Sequence, residues 1–245
     1  MKLVLAETKL LSDSISIISE LVNEARIKIT KDSLEIVSMD PANVALVIFK
    51  LLSSSFVEYE LKEDKEIAVN LESLKQILKR AKPSDTLTLR LDEAKNKLSI
   101  TIAGDSTRTF SLSLIDLEER EQKIPDLKFP VKINANTLTF DEAIEDMSIV
   151  SESVSFTAEK NKLLLQSSSS LNSANVDIPL GEALKIKDSI KSKYSLDYLK
   201  KMVKAGKLTD NAVIQFDKDY PLKIEYNLKD KLSLSFILAP RIDNV

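Results

Sequence analysis

The side chains able to do chemistry in this sequence are few. Its 245 residues include no His, no Cys and no Trp. That excludes Ser-His-Asp and Cys-His catalysis, imidazole and thiolate metal sites, and disulfides. The three glycines, Gly104, Gly181 and Gly206, lie too far apart for a phosphate-cradling loop. Carboxylates and amines remain. The densest acidic group is Asp141, Glu142, Glu145 and Asp146. Paired acids of this kind can act as acid and base or ligate a hard cation, although a solvated helix face accounts for them more simply. The amines form a clearer pattern. Lys75, Lys79 and Lys82 recur at i, i+4 and i+7, with Arg80 beside them and only Glu72 opposing. Lys200, Lys204 and Lys207 repeat that spacing, with Lys201 beside them and Asp197 opposing. One lysine stripe is ordinarily solvated surface. Two matched stripes on a chain of net charge −3 point to a shared polyanion, because Lys supplies flexible point charges that track phosphates without reading bases.

The elements that must carry these residues follow from hydrophobic periodicity. Apolar spacing of 3.6 predicts helices over 9–23, 71–82, 137–150 and 196–205. Asn70 and Ser195 are candidate N-caps and Gly206 a candidate C′ residue. In the third helix Leu138, Phe140, Ala143, Ile144 and Met147 are expected to face inward. Short β-branched runs predict strands at 2–6, 26–30, 33–38, 44–51, 66–70, 86–92, 97–103 and 107–115. A similar series follows at 129–134, 154–158, 162–166, 173–180, 212–217, 222–226 and 232–238. No apolar run approaches the ~18 residues of a membrane span. The N-terminus lacks the pattern of a signal peptide, so the expected location is cytoplasmic.

The sequence also repeats itself. Residues 70–91 align without a gap on 195–216, with Leu71/Leu196, Leu74/Leu199, Lys75/Lys200, Lys79/Lys204, Lys82/Lys207 and Asp85/Asp210 identical. The order of strands and helices recurs as well. The expected architecture is α+β, with two similar domains at 1–115 and 128–245, each of antiparallel sheets with two helices. A charged linker at 116–127 joins them.

Five segments, in order, carry a resemblance: 38–46 (SMDPANVAL), 69–81 (VNLESLKQILKRA), 114–125 (LIDLEEREQKIP), 220–226 (YPLKIEY) and 238–243 (LAPRID). Together with the duplicated domain they make the chain resemble the DNA polymerase sliding clamps of the proliferating cell nuclear antigen family, in archaeal form. The resemblance implies a DNA-clamp fold assembling into a trimeric ring, from one chain or from sister chains, that encircles duplex DNA without sequence preference. It implies no catalysis, no cofactor and no metal.

Helices would line the hole, so the implied DNA-facing residues are Lys9, Lys75, Lys79, Arg80, Lys82, Lys200, Lys201, Lys204 and Lys207. Ring closure would pair the strand of Thr109, Phe110, Leu112 and Leu114 with that of Ala174, Val176 and Ile178 in the next chain. A pocket under the linker would take short peptide motifs of DNA polymerase, clamp loader, flap endonuclease and DNA ligase. Met39, Val44, Leu46, Ile124, Pro125, Pro221, Ala239 and Pro240 match it. Gln122 departs from the usual apolar linker residue, and acidic residues around Glu145 stand where members often carry a base. Two other readings stay open on the residues alone: a monomeric two-domain protein-interaction module, and a carboxylate-based hydrolase.

Overall fold

Hairpins in a chain with so little glycine need another residue at the left-handed turn position. Asn and Asp supply it. Asn43, Asn96, Asp219 and Asp230 have φ between 51° and 58°, a region these two side chains tolerate better than other non-glycine residues. The computed structural model describes residues 1–118 and 122–242. Glu119, Arg120 and Glu121 of the expected linker, and Asp243 of the last motif, lie outside the described residues.

The first half of the sequence runs β1 (Lys2–Leu5), α1 (Thr8–Ile18), β2 (Glu24–Ile29), β3 (Ser33–Met39), β4 (Ala45–Leu52), β5 (Glu58–Glu60), β6 (Lys65–Asn70), α2 (Leu71–Leu78), β7 (Thr86–Asp92), β8 (Lys97–Ala103) and β9 (Thr107–Ser113). The second half runs β10 (Val131–Asn136), α3 (Thr137–Ser148), β11 (Ser153–Glu159), β12 (Lys162–Ser168), β13 (Ser173–Pro179), β14 (Ile190–Ser195) and α4 (Leu196–Met202). A 3-10 turn (Val203–Leu208), β15 (Asn211–Phe216), β16 (Leu222–Leu228) and β17 (Leu232–Leu238) complete it. Two compact units result. Unit 1 is Met1–Pro41, Val47–Ile124 and Leu228–Leu234; unit 2 is Ala42–Leu46, Pro125–Asn227 and Ser235–Val245.

The strands of the first half form the orders β5-β1-β7-β8-β9 and β4-β3-β2-β6. Those of the second half form β10-β15-β16-β17 and β13-β12-β11-β14. Apart from the added β5, each order maps onto the other element by element. The expected duplication is therefore present in the topology. The 125-residue offset also holds in detail: α2 and α4 begin at Leu71 and Leu196, and β7 and β15 begin at Thr86 and Asn211.

In unit 1, Leu11, Ile15 and Ile18 of α1 and Leu71, Leu74 and Leu78 of α2 are buried. In unit 2, Phe156 on β11 sits at the centre of an aromatic cluster, edge-on to Phe140 (6.1 Å), Tyr194 (5.3 Å) and Phe216 (5.9 Å).

Several local expectations fail for identifiable reasons. Helices α1, α2 and α3 end at Ile18, Leu78 and Ser148, short of residues 23, 82 and 150, because their last turns tighten into i→i+3 bonds such as Leu21 N–H to Ile18 and Ala81 N–H to Leu78. Leu138 is 65% exposed rather than inward, since Thr137 and Phe140 occupy the buried face of α3. The Ser195 side chain makes no capping bond. Gly206 has no positive φ. Its role is close approach: a Cβ there would lie 3.0 Å from Thr137 Cβ. The strands β5 and β14 fall outside the runs read from sequence.

Asp85 ties the β7–β8 end of unit 1 together. It is 2% exposed. Its Oδ2 accepts from Arg108 Nη2 at 2.7 Å and from Lys82 N–H at 3.0 Å, while Arg108 Nη1 donates to the Arg80 carbonyl at 3.0 Å. A Cβ on Gly104 would sit 2.0 Å from Asp85 Oδ1. Gly104→Ala is therefore expected to destabilise the chain by about 1–3 kcal/mol through overpacking, read as a lower urea midpoint at unchanged m-value.

Candidate nucleic-acid interface

The basic residues of α2 and α4 collect at the C-termini of those helices, whereas Lys9 lies in the first turn of α1. Asn70 caps α2 by accepting from Ser73 N–H at 2.9 Å, and the burial of Leu71, Leu74 and Leu78 turns Glu72, Lys75 and Gln76 outward. Lys75 lies in the last turn and Lys79 is the C-cap. Arg80 and Lys82 follow in the exit turn. In unit 2, Leu196, Leu199 and Met202 of α4 are buried, Lys200 and Lys201 lie in its last turn, and the 3-10 turn carries Lys204 and Lys207. The lysines thus run off the ends of two short helices. Cations there also offset the partial negative charge of unsatisfied helix carbonyls.

These groups differ in availability. Lys9, Lys79, Arg80, Lys204 and Lys207 are exposed, and among the described residues Lys9, Lys79 and Arg80 make no ion pair. Lys75 is paired with Glu72 and its side chain is 15% exposed. Lys82 reaches Asp105 at 3.0 Å. Lys201 lies over the Tyr198 ring, 5.7 Å from its centroid.

The two strands expected at subunit contacts are both sheet edges: β9 ends one order and β13 another. On β9, Thr109 is exposed, Phe110 half-buried and Leu112 buried; Leu114, just beyond, is half-buried. On β13, Ala174 and Val176 are half-buried and Ile178 buried. Alternate residues of each edge therefore hold apolar surface incompletely covered by their own unit. Of the residues matched to a peptide pocket, Val44, Pro221, Ala239 and Pro240 are half-buried and Pro125 exposed in unit 2, where Leu46 is buried. Met39, half-buried, and Ile124, exposed, belong to unit 1.

The acidic helix α3 packs against α4 within unit 2. Glu145 lies 3.9 Å from Lys200. Burial, then the charges of Glu145 and Glu142, hold the Asp141 carboxyl above the usual carboxylate range. Among the described residues, no three acidic side chains are placed to hold a metal ion, which removes the geometric basis for reading these carboxylates as a metal site. A raised folded-state pKa means that ionised Asp141 opposes folding at neutral pH, and that this penalty fades as pH falls through the folded value and is gone below the unfolded one. Asp141→Asn is expected to raise the urea midpoint at pH 7 and to leave it unchanged near pH 3.

The whole-chain comparisons agree with this geometry. A family model described as "Proliferating cell nuclear antigen, N-terminal domain" matches residues 1–122, and its C-terminal counterpart matches 123–241. A "DNA polymerase sliding clamp" of Nanoarchaeum equitans is 34% identical over 99% of this chain and 100% of its own. One of Pyrococcus furiosus is 37% identical over 92% of each. The crystal structure of PCNA from Thermococcus kodakaraensis superposes with a TM-score of 0.91 at 27% identity, covering 98% of this chain and 99% of the other. A PCNA2–PCNA3 complex from Sulfolobus tokodaii gives 0.89 at 29% identity, covering 98% of this chain and 99% of that one. Two domain matches that together span the chain, and relatives similar over nearly their full length, place this protein in the proliferating cell nuclear antigen family as a DNA polymerase sliding clamp.

Proposed function

We propose that this chain closes with two others, copies or sister chains, into a ring around duplex DNA, and that it acts by tethering partners there rather than by catalysis. The observation that carries this is the pair of matched basic helix ends, exposed on Lys79 and Arg80 in unit 1 and on Lys204 and Lys207 in unit 2. A sequence-independent grip on phosphates needs such a surface and no base-reading group.

Closure uses β9 of one chain against β13 of the next. The counterparts of these strands in the duplicated topology are β17 and β4. Residues from those two strands and their flanks already bond inside each unit: Leu52 N–H to the Lys231 carbonyl at 2.8 Å in unit 1, and Ala239 N–H to the Val44 carbonyl at 2.9 Å in unit 2. The same strand types thus have a working antiparallel pairing within the chain. Covering β9 and β13 also removes two exposed edges.

Within unit 2, Val44, Pro221, Ala239 and Pro240 receive the apolar anchors of partner peptides. DNA polymerase, clamp loader, flap endonuclease and DNA ligase are the partners to test. The acidic α3 favours a ring of different chains, since three copies would place three such helices at the hole.

Light scattering reads the assembly, with 27.4 kDa per chain. A trimer supports closure on itself. A monomer or dimer that completes a trimer with sister chains supports the heteromeric ring, and a monomer that binds none leaves the interaction-module reading. Reversing Lys79→Glu and Lys204→Glu together is expected to weaken retention on closed-circular DNA about tenfold at low salt and to flatten its salt dependence. Unchanged retention would count against the assignment of these helix ends to DNA.

A further inference from the structure

The strongest unassigned feature is a basic concavity of about 650 Å³ in unit 2, within the size range of ligand clefts. Its floor is the polar face of the β13-β12-β11-β14 sheet, opposite the buried Phe156 and Leu165. Ser155 on β11 stands across from Lys193 on β14, with Lys191 two residues away. The β15–β16 turn contributes Lys218 and Asp219, and the segment after β17 contributes Arg241. Two hydrogen bonds and one turn conformation hold this arrangement. Arg241 N–H donates to the Lys193 carbonyl at 2.7 Å. The Tyr194 hydroxyl donates to the Tyr220 carbonyl at 2.8 Å. Asp219 adopts φ 51° in the β15–β16 turn and lines the same concavity.

Among the described lining residues four are cationic, Lys191, Lys193, Lys218 and Arg241, and one, Asp219, is a carboxylate. Among the described residues, Lys191, Lys218 and Arg241 make no ion pair. The concavity is also continuous in sequence with the peptide-docking residues, because Pro240 precedes Arg241 and Pro221 follows Asp219 by two positions.

We propose that this concavity binds acidic residues flanking the anchors of a partner peptide, so that this subunit selects partners by flank charge as well as by anchor shape. The proposal rests on the peptide-docking reading above. Charge complementarity and adjacency favour a peptide. A duplex is disfavoured because Asp219 interrupts the basic surface and the cations form a compact cluster rather than a stripe along a helix. The Ser155 hydroxyl and neighbouring Gln166 amide suit carboxylates and peptide groups alike.

The test is fluorescence anisotropy at low salt with three labelled peptides sharing one set of apolar anchors. One has neutral flanks, one an Asp-Glu pair before the anchors, and one the same pair after them. One acidic peptide is expected to bind about fivefold tighter than the neutral one, as two or three partly exposed ion pairs would give. The gain should disappear in the double variant Lys191→Glu, Arg241→Glu, while neutral-peptide affinity stays constant. Both substituted residues are exposed, and circular dichroism checks that the variant folds. Equal binding of all three peptides, or a gain that survives the variant, overturns the proposal alone. Binding of none overturns the docking reading and the proposal with it. Loss of duplex retention in the variant without any peptide effect assigns the cluster to phosphates and also overturns it.

Discussion

Pairing of backbone N–H and C=O groups along sheet edges is the constraint that organises this molecule. Each duplicated half builds its strands into antiparallel orders that must end somewhere, and an end left unpaired exposes a row of donors and acceptors. One half ends an order at β9 and the other at β13. Both edges alternate polar residues with incompletely covered apolar ones. A sheet edge built this way calls for another strand, and a duplicated fold holds counterparts of both strands needed. Helix placement, exposure of the basic helix ends and the open edges are all consequences of repeating one supersecondary pattern twice.

Much of this is legible in the residues. The gapless match of 70–91 on 195–216 captures a helix, a turn and the start of a strand, and the structure keeps that register to the residue at Leu71/Leu196 and Thr86/Asn211. The N-cap at Asn70 is readable because an amide side chain precedes an amphipathic run. The equivalent bond from Thr139 N–H to Asn136 at 3.1 Å follows the same logic. Ser195 shows the limit: the right residue type stands at the right place without forming the bond.

The parts that sequence hides are those where a polar residue occupies an inward position. β14 reads Ile-Lys-Ser-Lys-Tyr-Ser, with Ser192 and Tyr194 turned inward and Lys191 and Lys193 outward. A serine inside breaks the apolar alternation, so neither the strand nor the lysines it presents stands out. The Asp85–Arg108 pair is hidden for a different reason. Its partners are 23 residues apart, and only the fold brings Gly104 against the carboxylate. Leu138 fails in the opposite sense, since an apolar residue can lie on an exposed helix face.

The internal pairing of the helix-end cations carries a kinetic meaning. Lys75 with Glu72, Lys82 with Asp105 and Lys200 near Glu145 each keep a carboxylate within reach of the ammonium group. On the proposed assignment of these helix ends to DNA, a phosphate that approaches such a lysine competes with a counter-charge already tethered beside it. Its departure leaves no bare cation, because the carboxylate closes in again. Exchange of this kind keeps each contact brief and the steps between successive phosphates shallow. In the proposed ring travelling along DNA, that amounts to low friction: attraction enough to stay centred, without a well deep enough to stop.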